Sequence, residues 1–444
     1  MIKKAALACC ILLIVIMSIT SCATTQTATS MINTSTILGS ATTGTATSTS
    51  SPTLTGMTTQ YVGPIASEIT AGPDGDVWFT EPQENRVVKI SPATGKITQY
   101  NIPTEFSSPQ GIVAGPDGNL WFAEASGNKI GKISPATGQI TEYDVLTPKA
   151  GPIGLTVGPD GDLWFTEAFE NKIGKISPTS GNVTEFNIPT TNSRPYDGIV
   201  TGPDGNVWFT ESQGNKIGKI SPATGEITEY NIPATNGVNA GPYGITAGHD
   251  GNIWFTELND NQIAKISPAT GSITEYSLPG NYIGPYAITT GPDGNLWFTD
   301  VFENKIGKMS PTTGDITKYD IPTAYTAPYA ITTGPDSNLW FTETSKNQIG
   351  KISPTDGSVT EYSLLIPGSS TTATGGPTTS YPGTTSGLPP YVTVTTTLLV
   401  PGQTTTVTTT VANLITTVTV TATATLTTTV TLPVTTTVTV TTTH

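Results

Sequence analysis

The seven tryptophans of the chain recur at a nearly constant spacing, each in the same short phrase. Each period contains four short stretches that alternate β-branched or aromatic residues with polar ones, as half-buried strands do. Pro-Asp-Gly or a close variant separates the first two stretches, and Pro-Ala-Thr-Gly or a variant the last two, and both are tight-turn sequences. The tryptophans are Trp78, Trp121, Trp164, Trp208, Trp254, Trp297 and Trp340. Four antiparallel strands per period of about 40–45 residues predict one β-propeller blade, so we expect an all-β protein built as a closed ring of seven blades.

The sequence does not decide which segment supplies the last strand of the ring. The fragment Thr-Gln-Tyr at 59–61 resembles the fourth stretch of a blade and precedes the first period. The stretch from Val359 to Leu365 follows the last tryptophan and has the same character. Either of them could supply the outer strand of the last blade.

Composition changes on both sides of the repeats. Between Lys4 and Glu68, and again after Glu361, the chain of 444 residues has no charged residue. Uncharged Ser/Thr-rich flanks bury too little apolar surface to fold alone. We therefore predict a seven-bladed propeller over 57–366, a Ser/Thr-rich linker over 23–56 and a Thr/Val/Pro-rich low-complexity stalk over 367–444. Alternating Val-Thr pairs leave a small β-module or assembly strand as the alternative for the stalk.

The first residues read as a targeting segment. Two lysines precede an apolar stretch over 5–19 that is too short for a comfortable membrane span. The stretch ends in Ile-Thr-Ser-Cys, which resembles a bacterial lipobox, so we predict a signal peptide over 1–22 with lipidation at Cys22. The alternative is an ordinary secretory signal. The protein is then exported, as a cell-surface lipoprotein or a secreted protein, and meets a membrane only through its lipid anchor.

The charge balance and the histidine count exclude several classes of function. With 33 acidic residues against 19 basic ones, the chain has no basic surface for nucleic acid. Its only histidines are His249 and His444, so histidine-rich metal sites and most Ser/His/Asp arrangements are excluded.

Three positions repeat in every period and are expected to be structural. They are an Asn seven residues after each Trp, a Lys eleven residues after it, and an acid three residues after it. The acids, however, end the second stretch at one face of the ring, where carboxylates such as Glu257, Asp300 and Glu343 could hold a divalent cation. The alternative for these acids is a set of hydrogen bonds that lock each blade.

The position eleven residues before each Trp varies, and it lies at the start of the innermost strand. A residue that departs from a repeat at a position facing the central pore is more often functional than one that repeats. We therefore predict a ligand-binding surface of Asp197, Tyr243, Tyr286 and Tyr329, suited to stacking a cyclic, aromatic or sugar-like ligand. Aromatic packing that plugs the pore is the alternative. The full set is Ser67, Gln110, Ile153, Asp197, Tyr243, Tyr286 and Tyr329.

The blade phrases Gly-Pro-Asp-Gly-Asn-Leu-Trp-Phe-Thr-Glu, Asn-Lys-Ile-Gly-Lys-Ile and Ile-Thr-Glu-Tyr resemble those of the virginiamycin B lyase (streptogramin lyase) family over about 57–366. The resemblance implies a seven-bladed propeller and an Mg²⁺-dependent elimination that linearises streptogramin B antibiotics at their ester bond. It also implies a catalytic His after Pro in the first strand of the last two blades, and a Glu just before the last Pro-His. Those positions hold Tyr286, Tyr329 and Ala327 here, so we assign no catalytic residue, and Mg²⁺ is implied by the resemblance alone.

The prediction for function follows from these substitutions. We expect an exported, surface-tethered and monomeric propeller that binds a small cyclic or aromatic ligand, or a protein partner, at its mouth without chemistry. The alternative is a divergent carbon–oxygen lyase of the streptogramin B type, or a lactonase-like enzyme.

Overall fold

The computed structural model describes residues 66–233, 239–280 and 284–364, together with short strands between 392 and 439. The predicted signal peptide, the linker and Cys22 lie outside the described residues. Every regular element of the described residues is a strand. No described helix therefore has the length and apolarity that a membrane crossing requires.

Twenty-eight strands form seven sheets of four antiparallel strands, and each sheet takes its strands in chain order. This confirms the prediction of an all-β propeller with seven blades. Blade 1 is β1 (Ile69–Ala71), β2 (Val77–Glu81), β3 (Arg86–Ile90) and β4 (Ile97–Asn101); blade 2 is β5 (Pro109–Ala114), β6 (Leu120–Glu124), β7 (Lys129–Ile133) and β8 (Ile140–Asp144); blade 3 is β9 (Pro152–Val157), β10 (Leu163–Glu167), β11 (Lys172–Ile176) and β12 (Val183–Asn187). Blade 4 is β13 (Pro195–Thr201), β14 (Val207–Glu211), β15 (Lys216–Ile220) and β16 (Ile227–Asn231); blade 5 is β17 (Pro242–Ala247), β18 (Ile253–Glu257), β19 (Gln262–Ile266) and β20 (Ile273–Ser277). Blade 6 is β21 (Pro285–Thr290), β22 (Leu296–Asp300), β23 (Lys305–Met309) and β24 (Ile316–Asp320); blade 7 is β25 (Pro328–Thr333), β26 (Leu339–Glu343), β27 (Gln348–Ile352) and β28 (Val359–Ser363).

The first strand of each blade is innermost and contacts the first strands of both neighbouring blades, and β25 contacts β1 to close the ring. The outer strand of blade 7 is β28, so the stretch after the last tryptophan completes that blade. The fragment at 59–61 lies outside the described residues. At the seam between blades 7 and 1, Ile69 and Phe79 pack in one apolar cluster with Trp340.

Each tryptophan is fully buried and packs its own blade against the next one. In blade 5 the Trp254 Nε1 donates a hydrogen bond to Asp250 at 3.0 Å. The ring of Tyr276 lies 5.4 Å from the indole, and the Lys265 ammonium lies 4.9 Å from its centre. The lysine that follows each Trp by eleven residues is therefore structural, as predicted, because it covers the indole.

The repeated asparagines join each blade to the loop that leads into the next one. Asn171 has φ 57°, a left-handed backbone conformation that Asn tolerates better than most residues. Its amide donates to the carbonyl of Thr190 at 2.8 Å, and its oxygen accepts from the Ser193 amide at 2.8 Å. The structural role predicted for these asparagines is confirmed.

A ring of threonine hydroxyls links neighbouring blades beside the channel. In blade 5 the Thr256 hydroxyl accepts from the Gly244 amide of its own blade at 2.9 Å and donates to the Tyr286 carbonyl of blade 6 at 2.7 Å. At the seam, Thr342 donates to the carbonyl of Ser67 at 2.9 Å. The threonines are Thr80, Thr166, Thr210, Thr256, Thr299 and Thr342. Blade 2 has Ala123 at this position, so its junction with blade 3 lacks this bond.

Five further strands belong to the C-terminal segment. They are β29 (Val392–Val400), β30 (Gln403–Ala412), β31 (Ile415–Ala422), β32 (Thr429–Leu432) and β33 (Thr436–Thr439). The first three form one antiparallel sheet, and the last two form a hairpin. The boundaries of the low-complexity stalk stay a prediction.

Candidate functional site

The mouth of the propeller is the face at which the innermost strands begin. The loops between blades and the loops between second and third strands meet at this face. In blades 4 to 7 the innermost strand opens with Pro-Tyr, and its pairing with the second strand shifts between that Pro and the following Ile. This irregularity lets the four tyrosines Tyr196, Tyr243, Tyr286 and Tyr329 turn toward the centre of the ring, where they share one apolar cluster.

The four tyrosines pack in a row, with each ring tilted against the next one. The Tyr286 ring lies 3.9 Å from the ring of Tyr243 and 4.3 Å from that of Tyr329. The hydroxyls converge as well, because the Tyr329 oxygen lies 2.8 Å from that of Tyr286 and 3.1 Å from that of Tyr243. Tyr286 is only 2% exposed, whereas Tyr329 is half-buried. The row therefore plugs the pore, and among its members Tyr329 presents the most surface.

Burial governs the chemistry of these phenols. It raises the pKa of Tyr243, Tyr286 and Tyr329 well above the ordinary value for tyrosine, and neighbouring phenols and carboxyls add to the shift. Burial likewise raises the pKa of Tyr196. All four phenols are consequently neutral at physiological pH, so they can pack and donate hydrogen bonds but cannot act as tyrosinate bases.

Asp197 does not stand in the row of tyrosines. Strand β13 is one residue longer than β17, and Tyr196 follows Pro195 as Tyr243 follows its own proline. Counting back from the tryptophan therefore selects Asp197, whereas counting forward from the proline selects Tyr196. The repeated Pro-Tyr pair is the sequence signal that identifies Tyr196.

Asp197 instead lines one cavity of the central channel together with Glu68 from blade 1, and the two carboxyls are close enough to share a hydrogen bond. The two groups line a cavity of about 130 Å³ whose other walls are glycines and aliphatic residues such as Ile112 and Ile199. Burial raises the pKa of Asp197 to about 6, and the hydrogen bond with Glu68 opposes that shift. Burial, with the nearby Asp197 charge, raises the pKa of Glu68 well above its ordinary value.

Glu68 is the residue that the sequence analysis missed. It lies ten residues before its tryptophan, one residue beyond the variable position. The seven blades carry Glu68, Gly111, Gly154, Gly198, Gly244, Ala287 and Ala330 there. Neighbouring innermost strands approach closely at this level, because a Cβ on Gly154 would stand 2.1 Å from the Asp197 carbonyl oxygen of the next blade. Six of these residues are small and one is a long acid. The rule that departures from the repeat mark functional positions would therefore have identified Glu68.

Four exposed apolar side chains lie on the same face as the plug. The exposed large apolar side chains of the described residues are Phe106, Leu146, Phe169 and Tyr325, and all four belong to loops of the mouth face. Tyr325 is 83% exposed. Phe106 and Tyr325 also have positive φ angles of 56° and 60°, a conformation that costs free energy for a bulky aromatic residue. The apolar rim, as these four residues are called below, distinguishes the mouth from the opposite face.

The three acids predicted as metal ligands lie fully buried beneath the mouth. Burial raises the pKa of Glu257 to about 8, and the charges of Glu275 and Asp260 add to it. Burial also raises the pKa of Glu343 to about 8 beside Glu361, whereas Asp300 is paired with the Lys318 ammonium at 3.0 Å. Nowhere in the described part of the chain do three or more His, Cys, Asp or Glu side chains form a group able to hold a metal ion. The metal-binding role of these acids stays a prediction.

The strands and the mouth define a seven-bladed β-propeller whose pore is closed by tyrosines. A family model described as the virginiamycin B lyase family matches residues 33–238 and 234–381. The chain therefore belongs to the virginiamycin B lyase family, and the resemblance drawn from the blade phrases is confirmed.

Solved structures agree with this assignment. A streptogramin B lyase structure is 38% identical with a TM-score of 0.61, and the match covers 66% of this chain and 94% of that one. A catalytically inactive histidine-to-alanine variant of virginiamycin B lyase from Staphylococcus aureus, with quinupristin, is also 38% identical, with a TM-score of 0.60 and coverage of 66% and 96%. Hydrazine synthase from Kuenenia stuttgartiensis is 16% identical with a TM-score of 0.51, covers 72% of this chain and 100% of that one, and shares the fold alone. Among curated protein sequences, none matches this chain.

Proposed function

We propose that this propeller binds an apolar cyclic or aromatic ligand at its mouth and does not cleave it. The observation that carries the proposal is the tyrosine plug together with the apolar rim. The plug fills the mouth with neutral phenols, and the rim offers exposed aromatic and aliphatic surface on the same face. Exposed large apolar side chains gathered on one face favour a site of interaction there.

The lyase reaction has little support in these side chains. Elimination needs a base that takes the proton α to the ester carbonyl. By family resemblance the two histidine positions are Tyr286 and Tyr329, whose raised pKa values disqualify them as bases. A histidine-to-alanine change is enough to make the Staphylococcus aureus relative catalytically inactive.

Mg²⁺, which the family resemblance implies, does not fit the residues at this mouth. Mg²⁺ prefers oxygen ligands at octahedral geometry and is usually held by one or two carboxylates. The position of the family's glutamate holds Ala327, and the described residues form no group that could hold a metal. We therefore derive no step through a metal ion.

The rim favours a ligand broad enough to rest on the plug. Tyr286 is 2% exposed and has the rings of two other tyrosines close to it, so it offers little surface for a ligand to stack on. The half-buried Tyr329 and the exposed Phe106 and Tyr325 remain as contact surfaces. An apolar macrocycle, or the apolar segment of a protein partner, meets such a surface without entering the pore.

Quinupristin is the probe that tests the proposal, because a relative's structure contains it. We expect calorimetric titration to show binding, and chromatography with and without Mg²⁺ to show no opened product. The variant Phe106→Ser/Tyr325→Ser should weaken binding by about tenfold or more, since it removes apolar contact area. The control His249→Ala changes an exposed turn residue at the opposite face and should leave binding unchanged.

Two results would overturn the proposal. Turnover of quinupristin by the wild-type protein would make it a lyase. Binding that survives loss of both rim residues would place the ligand elsewhere.

One observation favours the alternative of a divergent lyase or lactonase. Burial raises the pKa of Asp197 to about 6, which suits a general base near neutral pH. The tyrosine plug separates this carboxyl from the mouth, so such a reaction requires entry of the substrate from the opposite end of the channel. Loss of turnover in Asp197→Asn, with turnover retained in Tyr329→Phe, would identify that route.

The cellular location is part of the same proposal. We propose that lipid on Cys22 tethers the propeller outside the cell, as a lipoprotein or, without lipid, as a secreted protein. The lipobox-like end of the apolar N-terminal stretch supports it. Mass spectrometry of the processed protein, with Cys22→Ala as the comparison, tests the lipid.

A further inference from the structure

Glu68 and Asp197 connect blades that are not neighbours. Glu68 precedes β1 in blade 1, and Asp197 lies in β13 of blade 4, on the opposite side of the ring. By contrast, the hydrogen bonds from the threonine hydroxyls to the next blade, called threonine clasps below, each join adjacent blades. The carboxyl pair is thus a link across the channel.

Blade 1 has the shortest innermost strand of the seven blades. Strand β1 has three residues, whereas the innermost strands of the other blades have six or seven. Just ahead of it, the Ser67 amide donates to the Thr80 carbonyl at 2.8 Å, and the Thr80 amide donates to the Glu68 carbonyl at 3.0 Å. Ser67 also accepts the clasp from Thr342 that closes the ring. Glu68 therefore sits at the seam of the propeller.

A hydrogen bond between two carboxyl groups exists only while at least one of them carries a proton. Nothing in the cavity replaces that proton, because its described lining holds no lysine, arginine or histidine. The other titratable groups that act near the pair are the phenols of Tyr196, Tyr243 and Tyr329, which are neutral. Arg194 lies over the Tyr196 ring, 5.4 Å from its centre, and is not part of the cavity lining.

We propose that Glu68 and Asp197 form a proton-held latch that fixes the seam of the ring across the channel and releases it when the shared proton is lost. Two carboxylates facing each other across a small cavity repel, and the described lining of this cavity supplies no cation to offset their charge. Blade 1 yields first because its innermost strand has the fewest pairings.

The direction of the pH effect follows from proton linkage. Both carboxyls have raised pKa values in the folded protein, so between their unfolded and folded values the folded state binds more protons. The contribution of the latch to stability is therefore full in acid and is lost as the pH rises through the folded values. Neutral glutamine at position 68 donates an N–H to Asp197 at any pH, so Glu68→Gln should keep the link and remove its pH dependence.

Hydrogen exchange of the full chain from about pH 5 to about pH 10, corrected for intrinsic rates, tests the latch. In the wild type we expect the amides of β1 to lose protection by about tenfold or more as the pH rises, while those of β13 change less. Glu68→Gln should stay protected throughout, and Glu68→Ala should be unprotected throughout.

Two controls keep the test decisive. Asp197→Asn repeats the experiment from the other carboxyl and should flatten the profile as Glu68→Gln does, which covers the case that Glu68→Ala fails to fold. Glu124→Gln alters a buried carboxyl of blade 2 outside the channel and should leave the β1 profile unchanged. A wild-type profile that parallels that of Glu68→Gln would overturn the latch, as would β1 protection in Glu68→Ala equal to the wild type at low pH.

Discussion

The body of the blades and the channel that they surround differ in how strictly their residues repeat. In the body, the Asp–Trp–Lys arrangement recurs from blade to blade, with the indole nitrogen 2.9–3.0 Å from the aspartate oxygen in all seven blades. In the channel the repeat is broken, since four blades contribute tyrosines and two contribute carboxyls. Repetition therefore marks the contacts that every blade needs to pack on its neighbour, and departure from it marks the groups that give this propeller its particular chemistry.

The largest effect should come from breaking the repeated body. Trp254→Ala removes a fully buried indole together with its hydrogen bond to Asp250, and should cost about 3–5 kcal/mol of unfolding free energy. Denaturant unfolding measures the loss. Trp254→Phe retains a ring against Tyr276 and loses only the hydrogen bond and some volume, so its loss should be clearly smaller. Equal losses would mean that the hydrogen bond, and not packing, dominates this contact.

The next effect concerns the acids that end the second strands. Glu257 has a folded pKa of about 8 against an ordinary value near 4.5, so the folded state holds its proton where the unfolded state has lost it. The contribution of Glu257 to stability is therefore full below about pH 4.5 and is lost as the pH rises to about 8.

Glu257→Gln mimics the protonated side chain at every pH. It should match the wild type in acid and exceed it by about 1–3 kcal/mol near pH 9, as measured by unfolding at both pH values. Glu226→Gln, at an exposed turn, is the control and should retain the wild-type profile. A difference in stability between Glu257→Gln and the wild type that is the same in acid and near pH 9 would contradict the buried, protonated state.

The smallest effect tests the boundary between body and channel, where the threonine clasps lie. Thr342→Val removes the bond to Ser67 at the seam and leaves a buried carbonyl and a buried amide without partners, so we expect a loss of about 1–2 kcal/mol. Ala123→Thr introduces a hydroxyl at the junction that lacks the clasp, and should gain up to about 1 kcal/mol if it reaches the Ile153 carbonyl. Thermal unfolding of both variants gives the comparison, and a loss at both positions would show that the hydroxyl does not fit the second junction.

Much of the architecture was predictable because it depends on contacts that are local along the chain. The period of the tryptophans, the turn sequences and the alternation within each stretch fix strands, turns and blade number, and all of these were confirmed. The asparagines and lysines of the repeat act within their own blade or at the next junction, so their constant spacing was enough to assign them structural roles. The blade phrases also identified the family correctly.

What the tertiary structure decided involves residues that only ring closure brings together. Tyr196 joins the tyrosine row because β13 is one residue longer than β17, and a spacing measured from the tryptophan hides that shift. Glu68 meets Asp197 because the chain passes around half of the ring between them, and no local pattern encodes a distance across a channel. The sequence thus determined the blades, through short-range pattern and turn chemistry, whereas the channel was decided by the geometry with which seven blades close on one another.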